Sequence, residues 1–175
     1  MRTLIFFNTL FGFLTIVAML ISLAILYLIF LKKIISGFEQ LRGFLPILSL
    51  SVAAVSTMGS LIYSEVIGFI PCEYCWYQRY IMYPLSILLI YVVVTKKYVR
   101  IAAFFAGVGL LISMRHIYLQ NGGGSVEVCA SDVPCTLKYV EIFNFISIPF
   151  MASVAFITIF LSLMYYELSK KVENE

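Results

Sequence analysis

Two closely spaced pairs of cysteines are the residues of this chain best suited to chemistry. Cys72 and Cys75 enclose two residues in Pro71-Cys72-Glu73-Tyr74-Cys75-Trp76-Tyr77-Gln78-Arg79, and Cys129 and Cys135 enclose five in a later polar stretch. Thiolates exchange with disulfides through mixed-disulfide intermediates, so two dithiols that can meet form an electron relay. Pro71 ends the preceding apolar run, and a helix is predicted to begin within the motif with Cys75 in its first turn. The N–H groups at a helix N-terminus favour a thiolate over a thiol. Arg79 follows one turn later on the same face, and its permanent charge suits a thiolate or an acceptor oxygen. The Gly122-Gly123-Gly124 run ahead of Cys129 provides the freedom that exchange with two partners in turn requires.

Other uses of four cysteines compete with this one. A C-x-x-C pair can form half of a zinc site, with Cys129 and Cys135 as the other half. An extracytoplasmic location and a lack of clustered histidines argue against that, so no metal is expected. Two inert disulfides could instead fasten loops, but Arg79 and the helix start beside the first pair favour a reactive site. His116 is the only histidine. It reads either as a proton donor or hydrogen-bond partner to a cofactor at the membrane surface, or as an interfacial histidine satisfied by water or backbone. Glu65, seven residues before Cys72, is a weaker candidate that solvent can satisfy.

The elements that must position these residues are membrane helices. Of 175 residues, 62% are hydrophobic and 12% charged, about half the charge of an ordinary soluble domain. The net charge of +3 is too small to imply nucleic acid as a partner. The run Leu4 to Leu31 holds 28 residues without a charge. As a helix it would be about 42 Å long, enough to cross a hydrocarbon core of about 30 Å with tilt. A signal peptide would have a shorter apolar region, of about 7–15 residues, whereas this run ends in Lys32-Lys33, which reads as a stop and anchor. Further runs extend from Phe44 to about Ile70, Tyr80 to Val94, Ile101 to about Tyr118, and Ile146 to Tyr165. Pro84 should kink the third, while Pro149 fits the first turn of the last.

The fold class expected is therefore an all-α membrane protein with five spans. Lys32, Lys33, Arg42, Lys96, Lys97, Arg100, Lys170 and Lys171 fall on one side, against Arg2, Arg79, Arg115 and Lys138 on the other. Basic loops stay in the cytoplasm, which puts the N-terminus and all four cysteines outside and the C-terminus inside. Disulfides persist on that outer side.

The stretch from Pro71 to Arg79, followed by Tyr80-Ile81-Met82-Tyr83-Pro84-Leu85, closely resembles the disulfide-bond-formation protein B family, in its short-loop branch often called BdbC. Arg115-His116-Ile117-Tyr118, Val133-Pro134-Cys135-Thr136 and Ile146-Ser147-Ile148-Pro149-Phe150 continue the resemblance, which covers about Phe44 to Tyr165. It implies a four-helix transmembrane thiol oxidase over residues 44–175. Residues 1–43 then form an additional N-terminal transmembrane helix and a cytoplasmic linker that the usual four-span pattern lacks.

Such proteins reoxidise an extracytoplasmic thioredoxin-fold thiol oxidase, of the DsbA or BdbD type, and pass its electrons to a membrane quinone, either ubiquinone or menaquinone. By position, Cys72 and Cys75 resemble the quinone-proximal pair, with Cys75 contacting the ring. Cys129 resembles the thiol that forms the mixed disulfide with the partner, and Cys135 its mate. Arg79 matches an arginine associated with quinone, and His116 a histidine near the same site. A vitamin K epoxide reductase-like oxidoreductase is the alternative enzyme, but its C-x-x-C is expected after the loop pair rather than before it. A multispan protein with structural disulfides is the non-enzymatic alternative.

Overall fold

The computed structural model describes residues 2–30, 39–123, 133–143 and 145–173. Cys129, Lys32, Lys33, Gly124, Glu127 and Asp132 lie outside these residues. Among the described residues, five helices are long and apolar enough to cross a membrane. They are α1 (Arg2–Phe30), α2 (Glu39–Leu61), α3 (Glu73–Thr95), α4 (Val99–Gln120) and α5 (Ile148–Glu173). Among the described residues there is no strand; the one β-like feature is an isolated bridge between Ile142 and Ile146. A backbone that satisfies its own hydrogen bonds within each segment is what a bilayer demands.

The helix limits refine the apolar runs. The second run is helical only to Val66, ending in a π-helical turn over Ile62–Val66. Gly68 then takes a left-handed conformation, with φ 83°, which turns the chain away from the helix before Ile70. The third span is longer than its apolar run, because Glu73 to Arg79 already form the first turns of α3. Pro84 sits inside that helix, which continues to Thr95, and Pro149 is the second residue of α5.

α5 is the central element, packed against α1, α2 and α4, while α2 meets α3 and α3 meets α4. Four helices thus close a ring, α2-α3-α4-α5, and α1 lies against α5. Small residues let these backbones approach. On α4 the buried face runs through Ala102, Ala106, Gly109, Ser113 and His116. A Cβ on Gly109 would come within 2.2 Å of Phe156, a ring with no exposed surface. Hydroxyls join the helices in pairs: Ser22 of α1 with Thr158 of α5 at 2.7 Å, and Thr57 of α2 with Ser86 of α3 at 3.0 Å.

Candidate active site

Cys72 is the N-cap of α3. Its extended backbone (φ −73°, ψ 173°) follows Pro71, and its carbonyl accepts the Trp76 N–H at 3.2 Å. Cys75 is the third residue of the helix, so both sulfurs stand at its positive end. They are 3.2 Å apart and both are free thiols. Cys72 is 5% exposed.

His116, 1% exposed near the C-terminal end of α4, reaches this pair from the neighbouring helix. Its Nε2 lies 3.5 Å from the Cys72 sulfur, and its Nδ1 lies 3.3 Å from Nε2 of the buried Gln78. An amide nitrogen only donates, so Nδ1 accepts and the imidazole proton sits on Nε2, directed at Cys72. The Tyr74 ring packs beside the imidazole at 5.6 Å. The Cys72 thiol is held below the usual thiol range, first by its hydrogen bond with Cys75 and further by His116, against the opposing effect of burial. The spacing had pointed to Cys75 as the thiolate; the contacts that favour one converge on Cys72.

Cys75 looks the other way, onto an apolar cavity of about 290 Å³ that Gln78 and Arg79 also line. Arg79 is 9% exposed. Its Nε–H donates to the Ser60 hydroxyl and its Nη2–H to the Ser60 carbonyl, each at 2.9 Å, and its guanidinium lies 5.3 Å from the Trp76 ring centre. Among the described residues no carboxylate pairs with it. A buried cation on an apolar wall is costly without a task or a partner. Apolar walls, a fixed positive charge and a thiol on one face fit a flat, lipid-soluble carbonyl compound such as a quinone.

The structure therefore brings together four of the sequence candidates on two sides of one helix turn: Cys72 with His116, and Cys75 with Arg79. His116 is not among the cavity-lining residues. Gln78 and Ser60 are additions. Gln78, a buried amide in an apolar helix three residues after Cys75, carried a local signal; Ser60, on another helix, carried none. Glu65 is exposed and accepts a hydrogen bond from Ser64 at 3.1 Å.

Cys135 is 2% exposed and disulfide-bonded, in the segment between α4 and α5. The Cys72 and Cys75 sulfurs and the imidazole nearest them lie within 4.8 Å of one another, as a local trio.

If His116 stabilises the Cys72 thiolate, then His116→Phe in the reduced protein should raise the pH at which that thiolate forms. A hydrogen bond to a charged group contributes about 1.5–3 kcal/mol, so below the lowered pKa of about 4 the thiolate fraction should fall by roughly tenfold or more. Thiolate absorbance against pH in a background with both Cys129→Ala and Cys135→Ala reads this directly. The stabilisation of the reduced state is complete above the ordinary thiol pKa and disappears as pH falls through the depressed one. An unchanged titration would mean that His116 does not act on Cys72.

The chain is similar to known disulfide formation proteins. The family model described as "Disulfide bond formation protein DsbB" matches residues 42–166. A "Probable disulfide formation protein" of Oceanobacillus iheyensis is 48% identical over 114 residues, 62% of this chain and 78% of that one. "Disulfide bond formation protein C" of Bacillus subtilis is 44% identical over 115 residues, covering 62% and 81%. A "Probable disulfide formation protein C" of Bacillus cereus is 37% identical over 128 residues, covering 70% and 91%. No solved structure matches. With a free dithiol at a helix mouth, five helices able to cross a membrane and a family match over most of its length, this chain belongs to the DsbB family and is an oxidoreductase with a role in disulfide bond formation.

Proposed function

We propose that the protein is a thiol:quinone oxidoreductase that reoxidises an extracytoplasmic thioredoxin-fold thiol oxidase. The observation that carries this reading is the placement of Cys75 and Arg79 on one apolar cavity wall, with Cys72 joined to Cys75 on the opposite side. A thiolate of the partner attacks the Cys129–Cys135 disulfide at Cys129. The partner's second thiol resolves the mixed disulfide, leaving the partner oxidised and the loop pair reduced.

A thiolate of the loop pair then attacks the Cys72–Cys75 disulfide at Cys72. Resolution by its mate restores the Cys129–Cys135 bond and leaves two electrons and two protons on Cys72 and Cys75. His116 stabilises Cys72 as the leaving thiolate. Cys75 delivers from the cavity wall, and Arg79 places its guanidinium where negative charge grows on an acceptor oxygen. A quinone held between Cys75 and Arg79 would supply the two-electron, two-proton acceptor that re-forming the Cys72–Cys75 disulfide requires. The basic residues put this site on the extracytoplasmic side.

The test is anaerobic turnover of purified protein with a reduced thioredoxin-fold dithiol protein as donor and a soluble ubiquinone or menaquinone analogue as acceptor. Equimolar partner disulfide and quinol are expected. Partner oxidation without quinol formation, or neither, would overturn the reading.

A further inference from the structure

The cavity has a wall that the family match does not contain. Residues 42–166 are matched, so α1 lies wholly outside. Yet Phe11, Leu14, Thr15, Val17, Ala18 and Ile21 of α1 line the cavity that Cys75 and Arg79 face. Their spacing is one continuous helix face.

The wall is fixed at both ends. At one end rings form a column: Phe11 meets Tyr63 in a tilted contact at 5.5 Å, and Tyr63 stacks on Phe69 at 5.9 Å and Phe69 on Tyr139 at 4.5 Å. The Tyr63 hydroxyl also donates to Asn8 at 3.1 Å, and Gly12 lies so close to Ile142 that a Cβ would stand 2.9 Å from it. Deeper in the bundle, Ser22 is joined to Thr158 at 2.7 Å. The one hydroxyl on the α1 wall, Thr15, returns its bond to the Phe11 carbonyl at 2.7 Å. α1 therefore offers the cavity no free donor, while the charged end belongs to α3.

On α2 the lining runs from Ser60, beside Arg79, to Ser51, a length of about 13 Å at 1.5 Å per residue. That is more than a single ring occupies. We propose that α1 is the acceptor site's fourth helical wall, beside α2, α3 and α5, holding the apolar tail of the quinone along Leu14, Ala18 and Ile21 while the ring meets Cys75 and Arg79. α1 thereby selects acceptors by their tails. The inference rests on the quinone reading above.

Photolabelling tests it without turnover. A benzoquinone whose decyl chain ends in a photoreactive diazirine is irradiated with the oxidised protein, and the labelled peptides are mapped. Label on α1 between Leu14 and Ile21, together with α2 or α3, is the expected result. Label on α2, α3 or α5 lining residues but not on α1 would reduce α1 to an anchor while leaving the quinone reading intact. Label on none of the lining residues would instead overturn the quinone reading, and this inference with it.

Ala18→Trp fills the deep part of the cavity and should weaken binding of the decyl analogue by about tenfold or more. The same ring without a chain should bind within about twofold of wild type, since the ring end is untouched. Equal weakening of both would overturn the tail assignment. If Ala18→Trp does not fold, Leu14→Ala carries the test: the tail loses contact, and the decyl analogue alone should bind about tenfold more weakly.

Discussion

Cys75→Ser is expected to lower quinone-linked turnover by at least about a thousandfold, the scale of loss when a nucleophile is removed. A serine hydroxyl at Cys75 can neither form the disulfide with Cys72 nor deliver electrons from the cavity wall. The partner step should survive once: reduced partner should be oxidised by about one equivalent per protein, through the loop pair, and then stop. Both sulfurs of the motif are free thiols in this structure, and the helices around them pack without a bond between them. Membrane insertion and the unfolding temperature of the reduced protein, followed through its single tryptophan, should therefore be nearly unchanged. Cys72→Ser should lose turnover as fully. Failure of either variant to insert, with turnover persisting above a tenth of wild type in the other, would point to a structural disulfide and away from a relay.

Arg79→Met separates charge from packing. The buried guanidinium donates two hydrogen bonds to Ser60 but has no carboxylate partner among the described residues. Replacing a buried ion by an apolar side chain of similar length is often neutral or stabilising. A residue retained only to hold the bundle together would therefore be dispensable in this variant. The expected result is a protein as stable as wild type whose kcat/KM for quinone falls by about a hundredfold, the scale of losing one fixed donor at developing charge. Oxidation of the partner in a single turnover should change by less than about threefold, because that step does not use the cavity. Arg79→Lys should recover part of the loss, keeping the charge without the planar fork. A normal quinone dependence in Arg79→Met would remove the guanidinium from the acceptor site and leave it as an anchor at the helix mouth.

What the sequence determined by itself was whatever depends on run length and near neighbours. The five spans follow from apolar runs matched to the bilayer. Cys75 and Arg79 share a face because residues four apart on a helix do, and Pro71 and the polar motif mark where α3 begins. The end of α2 was less legible. Gly68 sits in apolar surroundings, and nothing local shows that it turns the chain while Ile70 still reads as membrane-like.

Tertiary structure alone decided which sulfur meets what. His116 is 44 residues from Cys72 in the chain, and Ser60 is 19 from Arg79. Neither pairing has a local signature. The same holds for α1, which as a sequence is an apolar run with no preferred side, yet as a helix supplies one wall of the cavity. In a soluble helix the buried face announces itself by contrast with a polar one. In a bilayer the lipid-facing and packing faces are both apolar, so periodicity carries little orientation. Tertiary contacts such as Gly12 against Ile142, Phe11 against Tyr63 and Ser22 against Thr158 show which way α1 turns.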